Sequence, residues 1–130
     1  MSGLPTIAIV DDDPGILRSI DSLIRSAGMT GTVFDCAEAF LEASGHSHFD
    51  CLVTDVHMSG ISGLDLREEL IRRGSPPPTI IMTAFPTPAL RERAQRDGIG
   101  AFLTKPVDPD ELLATITAAL SATRTTETML

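Results

Sequence analysis

The segment Thr-Ile-Ala-Ile-Val-Asp-Asp-Asp-Pro at residues 6–14 contains the pattern that sets the fold of the whole chain. Its apolar half, Thr6–Val10, has the length and character of a buried β-strand. Its second half predicts the start of a helix, because Asp13 is a good N-cap residue and Pro14 suits the first helical position. Apolar residues then recur at helical spacing until Gly28, and a glycine commonly ends a helix. The segment is therefore a strand that leads through acidic residues directly into a helix.

The same strand–helix unit recurs along the chain. Further short apolar runs predict strands over Gly31–Phe34, Cys51–Thr54, Thr79–Met82 and Ala101–Leu103. The segments that follow them predict helices over Ala37–Glu42, Leu64–Arg73, Leu90–Asp97 and Asp108–Ala122. Alternating units of this kind are typical of an α/β fold, a doubly wound parallel sheet with helices on both faces.

Composition fits one domain and excludes several classes of function. The chain has 130 residues, 42% of them apolar, which is enough to build one core. Its net charge of −8 disfavours direct binding of nucleic acid, since a phosphate backbone attracts a basic surface. No apolar run approaches the roughly 20 residues of a membrane span, and no basic region precedes the first strand, so we expect no membrane segment and no signal peptide. Two cysteines, Cys36 and Cys51, make no disulfide framework and fit a reducing cytoplasm. We expect the domain to cover residues 1–122, with 123–130 as a flexible tail or linker.

Polar and charged side chains stand where these strands end. Asp11 and Asp12 follow the first strand, Asp55 the third, Thr83 the fourth and Lys105 the fifth. Because ligands in such sheets bind at the carboxyl ends of the strands, we expect these side chains to share one site. Clustered carboxylates repel one another, and a hard cation such as Mg²⁺ relieves that repulsion. A lysine and a hydroxyl beside such a cluster suit a phosphoryl group, and a carboxylate facing that group can be its nucleophile.

The motifs that carry these residues resemble those of the receiver domains of two-component response regulators. They are Ile-Val-Asp-Asp-Asp at 9–13, Val-Thr-Asp-Val-His-Met at 53–58, Ile-Met-Thr-Ala at 81–84 and Leu-Thr-Lys-Pro at 103–106. Each motif alone also suits a helix cap or a turn, but the set is specific and the resemblance covers about residues 6–120. It implies a flavodoxin-like (βα)5 fold whose parallel sheet has the strand order 2-1-3-4-5.

The resemblance also implies a role for each acidic residue and for the lysine. Asp55 matches the phosphoacceptor, which takes a phosphoryl group from a histidine kinase. Asp12 and Asp55 match the carboxylate ligands of Mg²⁺, with the main-chain carbonyl of His57 as a third ligand. Asp11 matches the acid that holds the metal through water, and Lys105 matches the lysine that pairs with the phosphoryl group.

A conformational switch is implied as well. Thr83 matches the hydroxyl that moves to meet the phosphate, and Phe102 matches the aromatic residue that turns inward when it does. Proline fixes its own φ and pushes its predecessor toward extended conformations. Because Pro86 and Pro88 follow the threonine so closely, we expect the fourth helix to begin late or irregularly, and not at Phe85.

The loop after the phosphoacceptor is the basis of a finer assignment. Its sequence resembles that of the response regulators that carry a C-terminal helix-turn-helix output domain, a branch to which nitrogen-fixation regulators belong. The segment reads Asp-Val-His-Met-Ser-Gly-Ile-Ser-Gly-Leu-Asp at 55–65. Ser59 stands where the family commonly has proline, which should loosen this loop. By the same resemblance we expect a homodimer through the surface of the fourth helix, fifth strand and fifth helix. The resemblance fits either a regulator that acts alone or the N-terminal part of a transcription regulator, whose output domain would lie beyond residue 130. It implies a switch that catalyses only its own phosphorylation and dephosphorylation, and the acidic charge argues against nucleic-acid binding by the receiver itself.

Two other functions stay open on the sequence alone. A phosphatase of the haloacid-dehalogenase type also forms an aspartyl phosphate on a parallel sheet; Asp11 would then be the nucleophile and Asp13 the acid/base. Against it, no later strand ends in the acidic pair of that family, and Asp55 would have no role. A pseudo-receiver that only binds partners would need a broken acidic site, whereas every member of the site is present.

Overall fold

The computed structural model describes residues 4–74, 76–99 and 101–129, with side chains as far as residue 122. Strands and helices alternate along these residues. The strands are β1 (Thr6–Val10), β2 (Thr30–Phe34), β3 (Cys51–Asp55), β4 (Thr79–Thr83) and β5 (Ala101–Thr104). The helices are α1 (Pro14–Ser26), α2 (Ala37–Ser44), α3 (Gly63–Arg72), α4 (Pro88–Arg96) and α5 (Pro109–Met129).

The strands form one parallel sheet in the order β2-β1-β3-β4-β5. Strand β1 pairs with two neighbours, so that Val10 lies opposite Phe34 on one side and opposite Thr54 on the other. Since all strands run in the same direction, their carboxyl ends meet at one edge of the sheet. The predicted strand order and the doubly wound α/β class are both confirmed.

Alternate side chains of the strands build a core on each side of the sheet. Ile7 and Ile9 of β1 belong to the apolar cluster that α1 and α5 cover, whereas Ala8 and Val10 belong to the cluster beneath α2 and α3. A smaller cluster near α4 consists of Val56, Leu64 and Ile81, and the half-buried Leu90 and Phe102 pack against it. The sheet is thus covered on both faces, and only its edges and strand ends stay open for a site.

Helix α4 begins at Pro88, after Phe85 but before the predicted Leu90. Thr87 is its N-cap, with φ −124° and ψ 156°, and its hydroxyl accepts the N–H of Leu90 at 3.2 Å. This extended conformation is the one favoured before a proline. Residues 84–87 form an exposed loop, in which Phe85 is 70% exposed. The prediction of a helix that starts late, after Phe85, is confirmed.

Helix α5 runs to Met129, so the predicted helix end at Ala122 is wrong. No glycine or proline follows Pro109 to stop the helix, and alanine is the strongest helix former. The helix covers most of the segment expected to be a flexible tail, while the proposed domain boundary at residue 122 stays a prediction. None of the helices in the described residues, α5 included, combines the length and apolar character needed to cross a membrane.

Candidate functional site

Three carboxylates meet at the carboxyl edge of the sheet. Asp11 and Asp12 follow β1 directly, and Asp55 is the last residue of the neighbouring strand β3. One carboxylate oxygen from each residue lies within 4.8 Å of the others. Asp11 is fully buried and Asp55 is 5% exposed, whereas Asp12 is exposed to solvent. The strand pairing thus brings together the three acidic residues that the sequence singled out.

The run of three aspartates has a different task at each position. The main-chain N–H of Asp11 donates to the carbonyl of Phe34 at 3.1 Å, which extends the pairing with β2 by one residue. The Asp11 carboxylate accepts the N–H of Asp13 at 2.9 Å, which fixes the turn into α1. Asp13 caps α1, and its carboxylate accepts the N–H groups of Gly15 and Ile16. Its role as an N-cap is confirmed, and it points its carboxylate at the helix end.

Lys105 lies between the two buried carboxylates. Its Nζ donates to Asp11 Oδ2 at 2.8 Å and lies 3.3 Å from Asp55 Oδ1. The lysine side chain is 16% exposed, and its main-chain N–H donates to the carbonyl of Thr83 at 2.8 Å, which ties the end of β5 to β4. Lys105 is the only lysine of the chain. A residue type that occurs once and follows a predicted strand is a further indication of the site, in addition to the motifs.

Charge in this cluster is unbalanced. Burial raises the pKa of Asp55; the ammonium of Lys105 opposes this, while the charge of Asp11 adds to it. Burial alone would lower the pKa of Lys105, but its hydrogen bond and charge interactions with Asp11 and Asp55 outweigh that effect and raise it. Three carboxylates therefore share one ammonium that stays charged at neutral pH, and a divalent cation would balance the remainder. Carboxylate oxygens are the donors that Mg²⁺ prefers, so the residues present fit that ion.

The loop after Asp55 passes very close to the strand end. The N–H of Gly63 donates to the carbonyl of Val56 at 3.0 Å. A Cβ at residue 63 would lie 2.3 Å from the Asp55 carbonyl oxygen, so only glycine fits here. Ser62 and Asp65 form a capping box that starts α3 at this point. The sequence identified Gly63 only as a loop residue, because a requirement of this kind depends on a tertiary approach.

His57 lies in the same loop, two residues after the proposed phosphoacceptor. Its side chain is exposed, and its ring centroid lies 6.2 Å from that of Phe85 in the loop after β4. The assignment of its main-chain carbonyl as a metal ligand stays a prediction.

Thr83 and Phe102, the two residues of the predicted switch, lie on β4 and β5. Thr83 is fully buried, and its Oγ1 accepts the N–H of Phe85 at 3.0 Å. Within the described residues, no hydrogen bond joins Thr83 to Asp55. Phe102 is half-buried against the cluster of Val56, Leu64 and Ile81. The contacts that these two side chains make are thus with the loop after β4 and with the apolar cluster.

A largely apolar groove of about 620 Å³ opens beside Lys105. It runs between α1 and the segment after β5. Its lining includes Ile16, Ile20, Ala84, Pro106 and Val107. The acidic cluster thus opens to solvent next to a surface that suits an apolar partner.

Comparison with known proteins identifies the family. The sequence profile of the response regulator receiver domain matches residues 7–117. The chain is 39% identical to the transcriptional regulatory protein FixJ of Bradyrhizobium diazoefficiens over 114 residues, which is 88% of this chain and 56% of FixJ. It is 37% identical to the response regulator protein TodT of Pseudomonas putida, over 88% of this chain and 50% of TodT. The chain therefore spans about half the length of these curated relatives.

A solved structure shows the same fold. The receiver domain protein (CheY-like) from Methanospirillum hungatei JF-1 superposes with a TM-score of 0.89, covering 95% of this chain and 98% of that one at 24% identity. Receiver domains are signalling switches, and phosphorylation on an aspartate is their general mechanism. This chain belongs to the receiver-domain family of two-component response regulators.

Proposed function

We propose that Asp55 accepts a phosphoryl group from a histidine kinase and that the phosphorylated state controls a downstream output. The observation that carries this proposal is the buried arrangement of Asp11, Lys105 and Asp55, with the lysine ammonium within 3.3 Å of both carboxylates. Asp12 adds a third carboxylate at the open side of the same cluster. Asp55 is the member of the cluster that ends a strand, so its carboxylate lies at the edge of the sheet where a phosphodonor can approach.

In the transfer step, an Asp55 carboxylate oxygen forms a bond to phosphorus while the bond from phosphorus to the donor's histidine nitrogen breaks. The electron pair of that bond stays with the departing imidazole. Lys105 favours the ionised, nucleophilic form of Asp55 against the effect of burial, and afterwards can pair with the phosphoryl oxygens. The Thr83 hydroxyl is the candidate to donate to those oxygens after a movement of its loop.

Asp12 and Asp55 would hold Mg²⁺ through their carboxylates, with the His57 carbonyl as a further ligand and Asp11 acting through water. When bound, the ion neutralises charge on the carboxylates and on the phosphoryl oxygens. The chain would catalyse only its own phosphorylation and dephosphorylation, with no separate substrate.

The groove opens beside Lys105, whose ammonium lies 3.3 Å from Asp55. We assign the groove between α1 and the segment 105–107 to the kinase surface that carries the phosphohistidine. Its lining combines apolar side chains, Ile16, Pro106 and Val107 among them, with Lys105, so a partner that buries the apolar surface also faces the lysine. Output by a second domain and dimerisation through α4, β5 and α5 are proposed by resemblance to the longer regulators, as is a cytoplasmic location; we assign no nucleic-acid contact to this domain.

Mass spectrometry of the intact chain after incubation with acetyl phosphate and Mg²⁺ tests the proposal. The wild-type chain and Asp13→Asn should gain the mass of one phosphoryl group, because asparagine caps α1 as well as aspartate does. Asp55→Asn should gain none, and a chelator of Mg²⁺ should abolish labelling of the wild type. Normal labelling of Asp55→Asn would overturn the assignment and would favour the phosphatase-type alternative, in which Asp11 is the nucleophile.

A further inference from the structure

Helix α4 is attached to the domain by little apolar surface. Ala94 is its one fully buried residue among those described, and Leu90 is half-buried. Its other side chains are mostly polar or charged. Two arginines make its specific contacts, and they point to opposite neighbours. The position of this helix therefore depends on a few polar contacts, which a small change in free energy can alter.

Arg93 holds one side of α4. Its guanidinium lies 3.0 Å from Asp65 Oδ1 and 2.5 Å from Glu68 Oε2, so it ties α4 to α3. These carboxylates raise the pKa of Arg93, which is in any case always charged. Phe102 is not among the partners of Arg93 in the described residues.

Arg91 holds the other side. Its guanidinium carbon lies 4.7 Å from the centroid of the Phe102 ring, over the face of the ring, which is a cation–π contact. Phe102 also packs against the cluster of Val56, Leu64 and Ile81. The ring is thus held between the apolar cluster and an arginine, and it cannot change its position without losing the arginine contact or moving α4 with it.

The contact between Arg91 and Phe102 is present in the arrangement in which Thr83 Oγ1 accepts a hydrogen bond from its own loop. Thr83 Oγ1 accepts the N–H of Phe85 at 3.0 Å, and the threonine makes no hydrogen bond to Asp55 in the described residues. If the Thr83 hydroxyl moves to a phosphoryl group on Asp55, that loop must rearrange. Any interaction made only in the resting arrangement then opposes phosphorylation by its own free energy.

We propose that Arg91 is a positioning residue of the switch. It holds Phe102 in the resting arrangement and so raises the free energy that phosphorylation must supply to reach the active arrangement. This inference rests on the proposed function of Asp55 and on the switch role of Phe102. Arg91 touches neither the phosphoryl group nor the acidic cluster; it acts through the aromatic ring. Its loss should therefore make the active arrangement easier to reach.

The sign of the expected effect separates this role from a plain effect of charge. Removing a cation from the chain should weaken binding of an anion at the acidic site, by long-range attraction alone. Releasing Phe102 should strengthen it. Arg96 lies on the same helix, is exposed and makes no ion pair or ring contact in the described residues, so Arg96→Met measures the charge effect alone.

The test titrates wild type, Arg91→Met, Arg91→Lys and Arg96→Met with beryllofluoride, an analogue of the phosphoryl group, in the presence of Mg²⁺. A contact worth the usual amount for an exposed cation–π pair predicts binding about two- to fivefold tighter for Arg91→Met than for wild type. Arg91→Lys keeps a cation over the ring and should lie closer to wild type. Arg96→Met should bind as wild type does or slightly more weakly. In a Phe102→Leu background, Arg91→Met should do no more than Arg96→Met does.

Aromatic NMR signals give an independent readout, because the chain has five phenylalanines and no tyrosine or tryptophan. In free Arg91→Met, the Phe102 signals should move toward their positions in the beryllofluoride complex, which a merely local loss of packing would not produce. Unchanged or weaker binding by Arg91→Met, with Phe102 signals unmoved, would overturn the role of Arg91 and leave the proposed function intact. Failure of the wild type to bind beryllofluoride would instead overturn the proposed function, and this inference with it.

Discussion

Replacing Lys105 with methionine should leave two buried carboxylates, those of Asp11 and Asp55, without a counter-charge. The ammonium lies 2.8 Å from Asp11 and 3.3 Å from Asp55, and the side chains of these carboxylates are only 1% and 8% exposed. Removing one partner of a buried ion pair typically costs 3–5 kcal/mol, roughly the value we expect at pH 7 without Mg²⁺. Methionine has a similar length and no charge, so the loss should come from electrostatics and not from a cavity.

Two further changes should recover part of this loss. Asp11→Asn in the same chain removes one of the two unpaired buried charges and should restore about half of the free energy of unfolding that Lys105→Met loses. Mg²⁺ at about 100 times its dissociation constant should add about 2.7 kcal/mol, provided that the variant still binds it. Arg96→Met, which removes a positive charge from an exposed position, should stay within about 0.5 kcal/mol of wild type and serves as the control.

The pH dependence has a defined sign. Burial already raises the pKa of Asp55, and without the lysine this pKa rises further. A carboxyl whose folded pKa lies above its unfolded value destabilises the fold when ionised, so stability increases as pH falls through the folded pKa. The deficit of Lys105→Met should therefore be largest at neutral pH and above, and should shrink as pH falls toward about 4, the ordinary pKa of an aspartate. Urea unfolding followed by circular dichroism at several pH values measures it, and equal stability of variant and wild type at pH 7 would refute the reasoning.

Three further changes test other parts of the structure. Gly63→Ala should destabilise the domain by about 1–3 kcal/mol, because the new Cβ would lie 2.3 Å from a main-chain carbonyl; Gly45→Ala, whose Cβ would meet nothing closer than 3.5 Å, should be neutral or stabilising, and urea unfolding compares the two. Arg93→Ala should cost less than about 1 kcal/mol, since its two partners on α3, Asp65 and Glu68, are more than half exposed, but it should speed hydrogen exchange in α4 above that in α3; equal exchange would contradict the weak attachment of α4 to the domain. Iodoacetamide at pH 8 should label the half-buried Cys36 and spare Cys51, whose pKa burial raises to about 12, and mass spectrometry should count two adducts only after unfolding.

The sheet and its acidic edge were predictable because each depends on local pattern. Thr6–Val10 is apolar because it is buried on both faces, and Asp13 with Pro14 marks the start of the next helix. Once strands and helices alternate, parallel pairing follows, and it brings the strand ends together whatever the details of packing. Asp11 and Asp55 were therefore placed beside each other without knowledge of any side-chain contact.

The contacts that position the site depend on geometry that no local pattern contains. The requirement for glycine at residue 63 arises from a carbonyl of another segment. Arg91 lies over Phe102 because of how α4 packs beside β5, which the sequence of α4 alone does not specify. The end of α5 was predicted too early because the apolar residues stop recurring at helical spacing near residue 122. A segment without glycine or proline can continue a helix even where that spacing is lost.

Chemical trapping of the phosphorylated residue tests the central claim most directly. Borohydride reduces an aspartyl phosphate to homoserine, so peptide mass spectrometry after reaction with acetyl phosphate, Mg²⁺ and borohydride identifies the modified position. We predict homoserine at residue 55 and at no other aspartate. Homoserine at residue 11, or at any aspartate other than 55, would contradict the account of this site.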